Sequence, residues 1–361
     1  MSKSKVTIYD VSSKLGVSTA TVNRVLNNKP NVSEKTRNRV LEAIKEMGYR
    51  PSRAASSLSR APVNISVIIS TSIDAFIDEV RKGAEKSFDE LSDFGLRGEF
   101  VLVDNTQSVT QFLQAMYNCA ENGTDAQILI PPREEDIVKD AMEDLSKRGI
   151  KFGVGISTIE SKSNYVNIVR NGEAAGAMAA EMLSYMLSSG DKVAIVTGNS
   201  LMSVHASTVK GFNEFIAHTS LVNTGVYEHR DDPELGSWVA ERIVRDHPDI
   251  KGIYIGTANS VTFCKKMDEL GYGRKVKIIA SDIFSEIAEL MDEGLVQASI
   301  FQDPFRVGKL LVRFMYEHIA EGKRLENRDV LLDPQIILNS NKNLFLNSTR
   351  GFYEQEMMKP F

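Results

Sequence analysis

Residues 6–53 read VTIYDVSSKLGVSTATVNRVLNNKPNVSEKTRNRVLEAIKEMGYRPSR, and the spacing of apolar residues, caps and glycines predicts three short helices. The first runs from about Thr7 to Leu15, with Ile8, Val11 and Leu15 as its apolar stripe. Gly16 follows, where a left-handed residue is needed to end a helix. Ser18 offers an N-cap oxygen to a second helix, Thr19 to about Asn27, which buries Val22, Val25 and Leu26. Its other face carries Thr19, Ala20, Asn23, Arg24 and Asn27. Residues 28–31 form a loop. Ser33 then caps a third helix, Glu34 to Met47, packed through Val40, Leu41, Ile44 and Met47; Gly48 ends it and Pro51 blocks its continuation.

Outward from this stretch the charge changes sign. Residues 1–60 hold 12 Lys/Arg and 4 Asp/Glu, a formal charge of +8, whereas the other 301 residues hold 31 and 44, a charge of −13. A compact basic module on an acidic body implies a polyanion partner for one end only. Two short helices joined by a Gly turn form a helix-turn-helix, whose second helix fits the DNA major groove. Arg24 suits a bidentate contact to guanine, and Asn23 or Thr19 suits base edges or phosphates. The other reading of the same pattern is a small helical bundle with a solvated basic face.

The run resembles the N-terminal module of the lactose-repressor (LacI/GalR) family of bacterial transcription regulators, through TIYDVSSKLGVSTATVNRVLN and VSEKTRNRVLEAIKEMGYRPSRAASSL. The resemblance implies operator DNA as partner, contacted by Thr7, Tyr9, Ser18, Thr19, Ala20, Thr21, Asn23, Arg24, Asn27 and Asn31. Family members usually carry Ala where Ser12 stands and Ser where Asn23 stands. Asn23 therefore changes a groove-facing side chain. Residues 52–58 (SRAASSL) match the family's hinge helix, which folds when two subunits meet over the minor groove and wedges a leucine between base pairs; Arg53, Ala55 and Leu58 are the matching residues. Read alone, this segment is a linker, since one or two turns cannot offset the cost of helix nucleation.

From Val63 onward, short β-branched runs alternate with amphipathic stretches. The strand candidates include 65–70, 100–104, 128–130, 151–154, 192–197, 252–255, 277–280 and 298–301, with helices between them such as 76–92, 173–187, 234–246 and 258–270. This order calls for parallel sheets with helices on both faces, and about 280 residues exceed one sheet's usual load. The fold class read here is an all-α helix-turn-helix head joined by a hinge helix to an α/β body of two lobes, each a doubly wound parallel sheet. The boundaries are 1–50 for the head, 51–62 for the hinge and linker, 63–345 for the body and 346–361 for a tail. Within the body, the first lobe takes about 63–170 and 303–323, and the second about 171–302 and 324–345. The tail (NSTRGFYEQEMMKPF begins at Asn347) has no leucine heptads.

The body resembles the family's effector domain, which is similar to periplasmic sugar-binding proteins. The matching words are NGEAAGAMAAEML, KVAIVTGNS, VKGFNEFI, GIYIGTANSV, VKIIASDIF and FQDPFRVGKLLV. The resemblance implies a homodimer and a small sugar-like effector held between the lobes. Its contacts, carried over position by position, are Asp74, Phe76, Asn171, Asn259, Asp282 and Gln302. Asn and Gln both give and take hydrogen bonds and Asp takes two or more, which suits a neutral, hydroxyl-rich molecule. Equally, Asn171, Asn259 and Asp282 each precede a helix and could cap it. Two departures stand out. Thr208 occupies the place of the arginine found three residues before the Gly-Phe pair, with Arg170 as a displaced cation; Asp231 to Pro233 replace the usual stacking aromatic. A polyol, an unusual sugar or a small sugar acid stays open as ligand.

Other classes lack their motifs. Gly153–Val154–Gly155 is an incomplete dinucleotide fingerprint, and no GxxxxGK[ST], HExxH or GxSxG occurs, so neither catalysis nor a metal or cofactor is expected. His205 and His229 read more simply as satisfied histidines than as cleft groups. Cys119 and Cys264 are expected as buried thiols of a cytoplasmic protein, since no apolar run spans a membrane or leads a signal peptide. The rival functions are a solute-binding protein without DNA function and a regulator triggered by a partner protein. The expected mechanism is two-state, with lobe closure on the ligand altering the spacing of paired hinges.

Overall fold

The computed structural model describes residues 6–26, 29–49, 61–71, 74–104, 109–131, 135–200 and 202–346. Asn27, Arg53, Ala55, Leu58, the side chain of Asp74 and the tail from Asn347 lie outside these.

The head is three helices, α1 (Ile8–Leu15), α2 (Thr19–Leu26) and α3 (Glu34–Met47). Gly16 and Gly48 both adopt the left-handed conformation at the ends of α1 and α3, as their sequence positions require. Val11, Val22, Val25 and Val40 make its core, with Ile8, Leu15, Leu26, Ile44 and Met47 packed around them. Leu41, expected in that core, is instead 48% exposed, and Ala43 is buried in its place. The apolar stripe of α3 runs through positions 40, 43, 44 and 47, and position 41 lies one step off that stripe. Arg37 and Arg39 donate to the Lys29 and Leu15 carbonyl oxygens at 2.9 and 3.3 Å, tying α3 to the connections on either side of α2.

Among the described residues the body contains two six-stranded sheets. The first runs β11-β5-β4-β3-β1-β2 and is parallel throughout: β1 (Val63–Thr71), β2 (Leu96–Asp104), β3 (Ala126–Ile130), β4 (Lys151–Ile156), β5 (Asn164–Arg170) and β11 (Asp329–Leu332). The second runs β12-β10-β9-β8-β6-β7: β6 (Lys192–Thr197), β7 (Val222–Glu228), β8 (Ile250–Ile255), β9 (Lys277–Ser281), β10 (Ala298–Phe301) and β12 (Gln335–Leu338), the last antiparallel to β10. The helices α4 (Asp74–Ser92), α5 (Val109–Glu121) and α6 (Glu135–Lys147) alternate with strands of the first sheet. Those alternating in the second are α7 (Gly172–Met186), α8 (Ser203–Ile216), α9 (Pro233–Asp246), α10 (Val261–Glu269) and α11 (Ser285–Asp292). Then come α12 (Pro304–Glu321), packed on the first sheet, and α13 (Lys342–Leu346).

The chain therefore crosses between sheets three times, after β5, after β10 and after β11. The third crossing corrects the expected boundary. Residues 329–332 pair with 167–170 in the first sheet, so the second lobe resumes at β12 rather than at residue 324. The reason is non-local: Asn167 donates across β5 and β11 to Asp329 at 2.5 Å. Gly153 and Gly155, the incomplete fingerprint, lie inside β4, where added Cβ atoms would stand 3.1 Å from Met315 and 2.7 Å from Leu311. They admit α12 onto the sheet. Cys119 and Cys264 are both buried and free.

In the second lobe, α7 and α8 cross with their backbones in contact. A Cβ on Gly176 would stand 2.1 Å from the Thr208 carbonyl oxygen, and one on Gly211 would stand 2.0 Å from that of Glu173. Gly176→Ala is expected to destabilise the body by roughly 1–3 kcal/mol, the usual range for overpacking. Urea unfolding followed by Trp238 fluorescence measures it, and an unshifted midpoint would show that the helices part without cost.

Candidate functional site

Two regions gather the residues singled out from the sequence. In the head, Thr7 is the N-cap of α1 in a capping box: its amide and hydroxyl both donate to Asp10 at 2.7 Å, and the Asp10 amide donates back to the Thr7 hydroxyl at 3.4 Å. Ser18 accepts from the Thr21 amide at 3.1 Å and shares a hydroxyl contact with Thr21 at 2.9 Å. These three hydroxyls fix where α1 and α2 begin. Ala20, Asn23 and Arg24 are exposed on one face of α2, opposite the buried Val22 and Val25, while Thr19 is half-buried. Tyr9 is 71% exposed on α1. Asn31, exposed, has a left-handed backbone (φ 67°) in the loop before α3.

In the body, Asn259, Asp282 and Gln302 lie at the carboxyl ends of the second lobe's strands, where an open α/β sheet presents its loops to ligand, whereas Arg170 ends β5 of the first sheet and Phe76 lies on α4. Asp282, directly after β9, is fully buried. Its two carboxylate oxygens accept from the backbone amide and the side-chain amide of Gln302, after β10, both at 2.9 Å. It caps nothing: α11 has no side-chain cap bond. Burial pushes Asp282 up to about 7, against the hydrogen bond from the Gln302 backbone and the nearby Arg170 guanidinium. Burial likewise works against the charge of Arg170 at the end of β5, and Asp282, Tyr254 and Asp231 support it. Its Nε and the Oε1 of Gln302 are buried without a partner.

Asn171 does cap a helix. Its Oδ1 accepts from the Ala174 amide at the start of α7 at 3.1 Å, and its Nδ2 donates to Asp333 at 3.2 Å. Asn259 is not a cap; its Nδ2 donates to the Asp231 carbonyl oxygen at 2.7 Å. Phe76 is buried on α4. Thr208 lies between the start of α7 and the end of β8. Its hydroxyl donates to the Val204 carbonyl oxygen of its own helix at 3.0 Å, and it packs beside Gly172 and Gly256.

A further group, isolated histidines in the sequence, stands at the same strand ends. His205, on α8, has Nε2 3.7 Å from Asp231 Oδ2. His229, after β7, has no exposure and accepts the Asp231 amide on Nδ1 at 3.1 Å. Asp231 also accepts from the Thr257 hydroxyl. The other nitrogens, His205 Nδ1 and His229 Nε2, are buried without a partner, as is the Thr197 hydroxyl at the end of β6. Burial, then Arg170, pushes His205 down to about 4, opposed by Asp231 and Glu228; burial lowers His229 as well. The signal in the sequence was Asp231 itself, a carboxylate where the family usually stacks an aromatic, with His229 close before it.

His205 held below its ordinary 6.5 is a base kept neutral by the fold. It contributes stability above about pH 6.5 that is lost as pH falls toward about 4. Over that interval the thermal midpoint of the wild type is expected to fall more steeply than that of His205→Gln. Calorimetry at both ends measures the difference, and parallel slopes would mean that His205 is not held neutral.

Comparisons with known proteins divide at the same place as the structure. Residues 7–52 match the model for bacterial regulatory proteins, lacI family, and residues 65–324 match that for a periplasmic binding protein domain. Catabolite control protein A of Priestia megaterium is 29% identical over 257 residues, spanning 70% of this chain and 74% of that protein. The transcriptional repressor PurR of Vibrio vulnificus is 25% identical over 341 residues, spanning 92% and 97%. Among solved structures, a Burkholderia graminis ABC-transporter solute-binding protein in complex with D-arabinose superposes with a TM-score of 0.71 at 23% identity, covering 78% of this chain and 96% of that one. One from Bacillus halodurans with bound myo-inositol gives 0.70 at 16%, covering 80% and 99%. At these identities the likeness is one of fold.

Proposed function

Because this chain belongs to the lacI family of bacterial regulatory proteins, we propose that it is a homodimeric, cytoplasmic repressor whose operator affinity is set by a small hydroxyl-rich ligand bound between its lobes. It is a DNA-binding regulator, as its relatives are. The observation that carries the DNA reading is the face of α2: Ala20, Asn23 and Arg24 stand exposed, and the hydroxyls around them are already spent on caps. One such head reads half a site, so two copies read a near-palindrome. A solute-binding role without DNA function leaves the match of residues 7–52 unexplained.

The ligand reading rests on the chemistry of the strand ends. Asp282, Gln302, Thr197, His205 and His229 offer acceptors and donors in a dehydrated setting, and sugar-binding proteins share the fold. The ligand shifts operator affinity only by its unequal affinity for two states of the protein, in either direction.

The test is selection of sites from a random duplex pool by the full-length protein, followed by titration of the selected site with and without pentoses, hexoses and polyols. A near-palindromic site is expected, with at least one compound changing affinity about 5- to 150-fold, the usual span of such coupling. Enrichment of no site would end the DNA reading, and no effect of any compound would favour a protein trigger. Arg24→Ala is expected to weaken the selected site by roughly 1–3 kcal/mol while sparing random DNA. Equal loss on both would show that Arg24 contacts phosphate alone. Leu58→Ala should lower operator affinity with both unfolding transitions unchanged; unaltered affinity would remove its wedge role.

A further inference from the structure

Phe345 and Leu346, the last residues of α13, line a groove of about 280 Å3 together with Phe284 and Glu286 at the start of α11. Phe345 meets the buried Phe301 edge to face, with ring centres 5.2 Å apart, and packs against the second lobe's core. Other lining residues come from the first lobe: Ala75, Asp78 and Lys82 of α4, and Phe305 just past the second crossing. There α4 is pressed onto the start of α12. A Cβ on Gly83 would stand 1.9 Å from the Phe305 carbonyl oxygen, and one on Gly308 would stand 1.9 Å from that of Val80.

Phe284, Phe305, Phe345 and Leu346 are only half-buried. Beside them the acids of α4 are matched within their own helix: Asp78 pairs with Arg81 at 3.1 Å, and Glu79 with Lys82 at 2.6 Å. Glu286 is exposed. It accepts from the Ser285 hydroxyl at 2.8 Å and has no cation at ion-pair distance among the described residues. The groove is just smaller than the roughly 300–1,000 Å3 of small-molecule sites. Half-buried rings beside such a carboxylate suit one aromatic side chain with a cation close to it in sequence.

The chain itself carries that pair directly beyond Leu346. Residues 347–361 read NSTRGFYEQEMMKPF, with Arg350 two positions before Phe352. Phe352 is the sixth residue after Leu346, a reach of at most roughly 20 Å, and Asn347, Ser348 and Gly351 are types that favour turns. So short a loop costs little entropy to close, and the tether holds the ring at an effective concentration of roughly millimolar. The same ring from a second chain would also forfeit translational and rotational freedom. We propose that residues 350–353 turn back into this groove of their own chain, with Phe352 among the rings of Phe284, Phe305 and Phe345 and Arg350 paired with Glu286. Because the lining comes from both lobes, the seated ring opposes any motion that parts α4 from α11. The tail is then a strap across the second crossing.

The test uses the full-length chain with Ala75→Cys and Tyr353→Cys, which leave Phe352 in place; both native cysteines are buried. Mild oxidation is expected to give a disulfide within one chain, seen on a non-reducing gel, and Phe352→Ser should suppress it. Tyr185→Cys, on exposed α7, replaces Ala75→Cys in the control and should give none. A disulfide between two chains, or equal yield in the control, would overturn the proposal. Without added cysteines, Phe352→Ser is expected to speed amide exchange in residues 75–82 and 283–287 by about 2- to 10-fold, the span of one lost aromatic contact. Phe361→Ser should change neither segment. Arg350→Glu should speed exchange as Phe352→Ser does, and Glu286→Arg should restore it. Unaltered exchange in Phe352→Ser, or an effect confined to one of the two segments, would remove the strap.

Discussion

A half-buried guanidinium, its Nε shut off from solvent, sits where the chain first leaves one sheet for the other, and much of the body gathers around it. Arg170 ends β5, and burial opposes its charge. Carboxylates must then stay close, because a buried charge stripped of its partners costs several kcal/mol. Asp282 is one, and it is tied through both oxygens to Gln302 at the second crossing. The next residue, Asn171, donates its backbone amide to the Leu332 carbonyl oxygen at 3.0 Å and its side chain to Asp333, at the third crossing. One charge and its neighbours thus gather all three crossings.

The rotation of α8 decides which side chain meets this cluster. Gly176 and Gly211 bring α7 and α8 into backbone contact, which leaves no freedom to turn either helix. Thr208 sits between the start of α7 and Gly256 at the end of β8, and His205, one turn earlier, faces Asp231.

Local features were legible in the sequence and non-local ones were not. The head was readable almost throughout, because caps such as Ser18 and Ser33 and the left-handed Gly16 and Gly48 act within four residues. The exception, Leu41, needed the exact phase of α3. In the body, continuous buried runs such as β6 and β9 announced themselves. The strands β5, β7, β11 and β12 did not: asparagines interrupt β5, Gly225 interrupts β7, and the last two are four residues long. The sheet that β11 joins depends on a partner 162 positions away. At the site, Asp282 and Gln302 were legible as types, but their bond to each other was not. His205 and His229 were passed over because isolated histidines are usually satisfied, and only the fold shows that these keep a buried nitrogen open.

The backbone strain of the second lobe has the same address as its chemistry. Arg230, Asp231, Asp282 and Asp303 are non-glycine residues with left-handed backbones, and all follow strands of the second sheet at their carboxyl ends. Two packed cores, on either face of that sheet, hold them there. Groups fixed this way need no ordering when a ligand arrives, so they bind it about equally well whether the lobes are apart or together. Equal binding shifts no equilibrium. On the proposed reading, the second lobe therefore supplies recognition, while the unequal affinity that drives a switch has to come from contacts made only on closure, on the side of β1 and α4 where Phe76 lies.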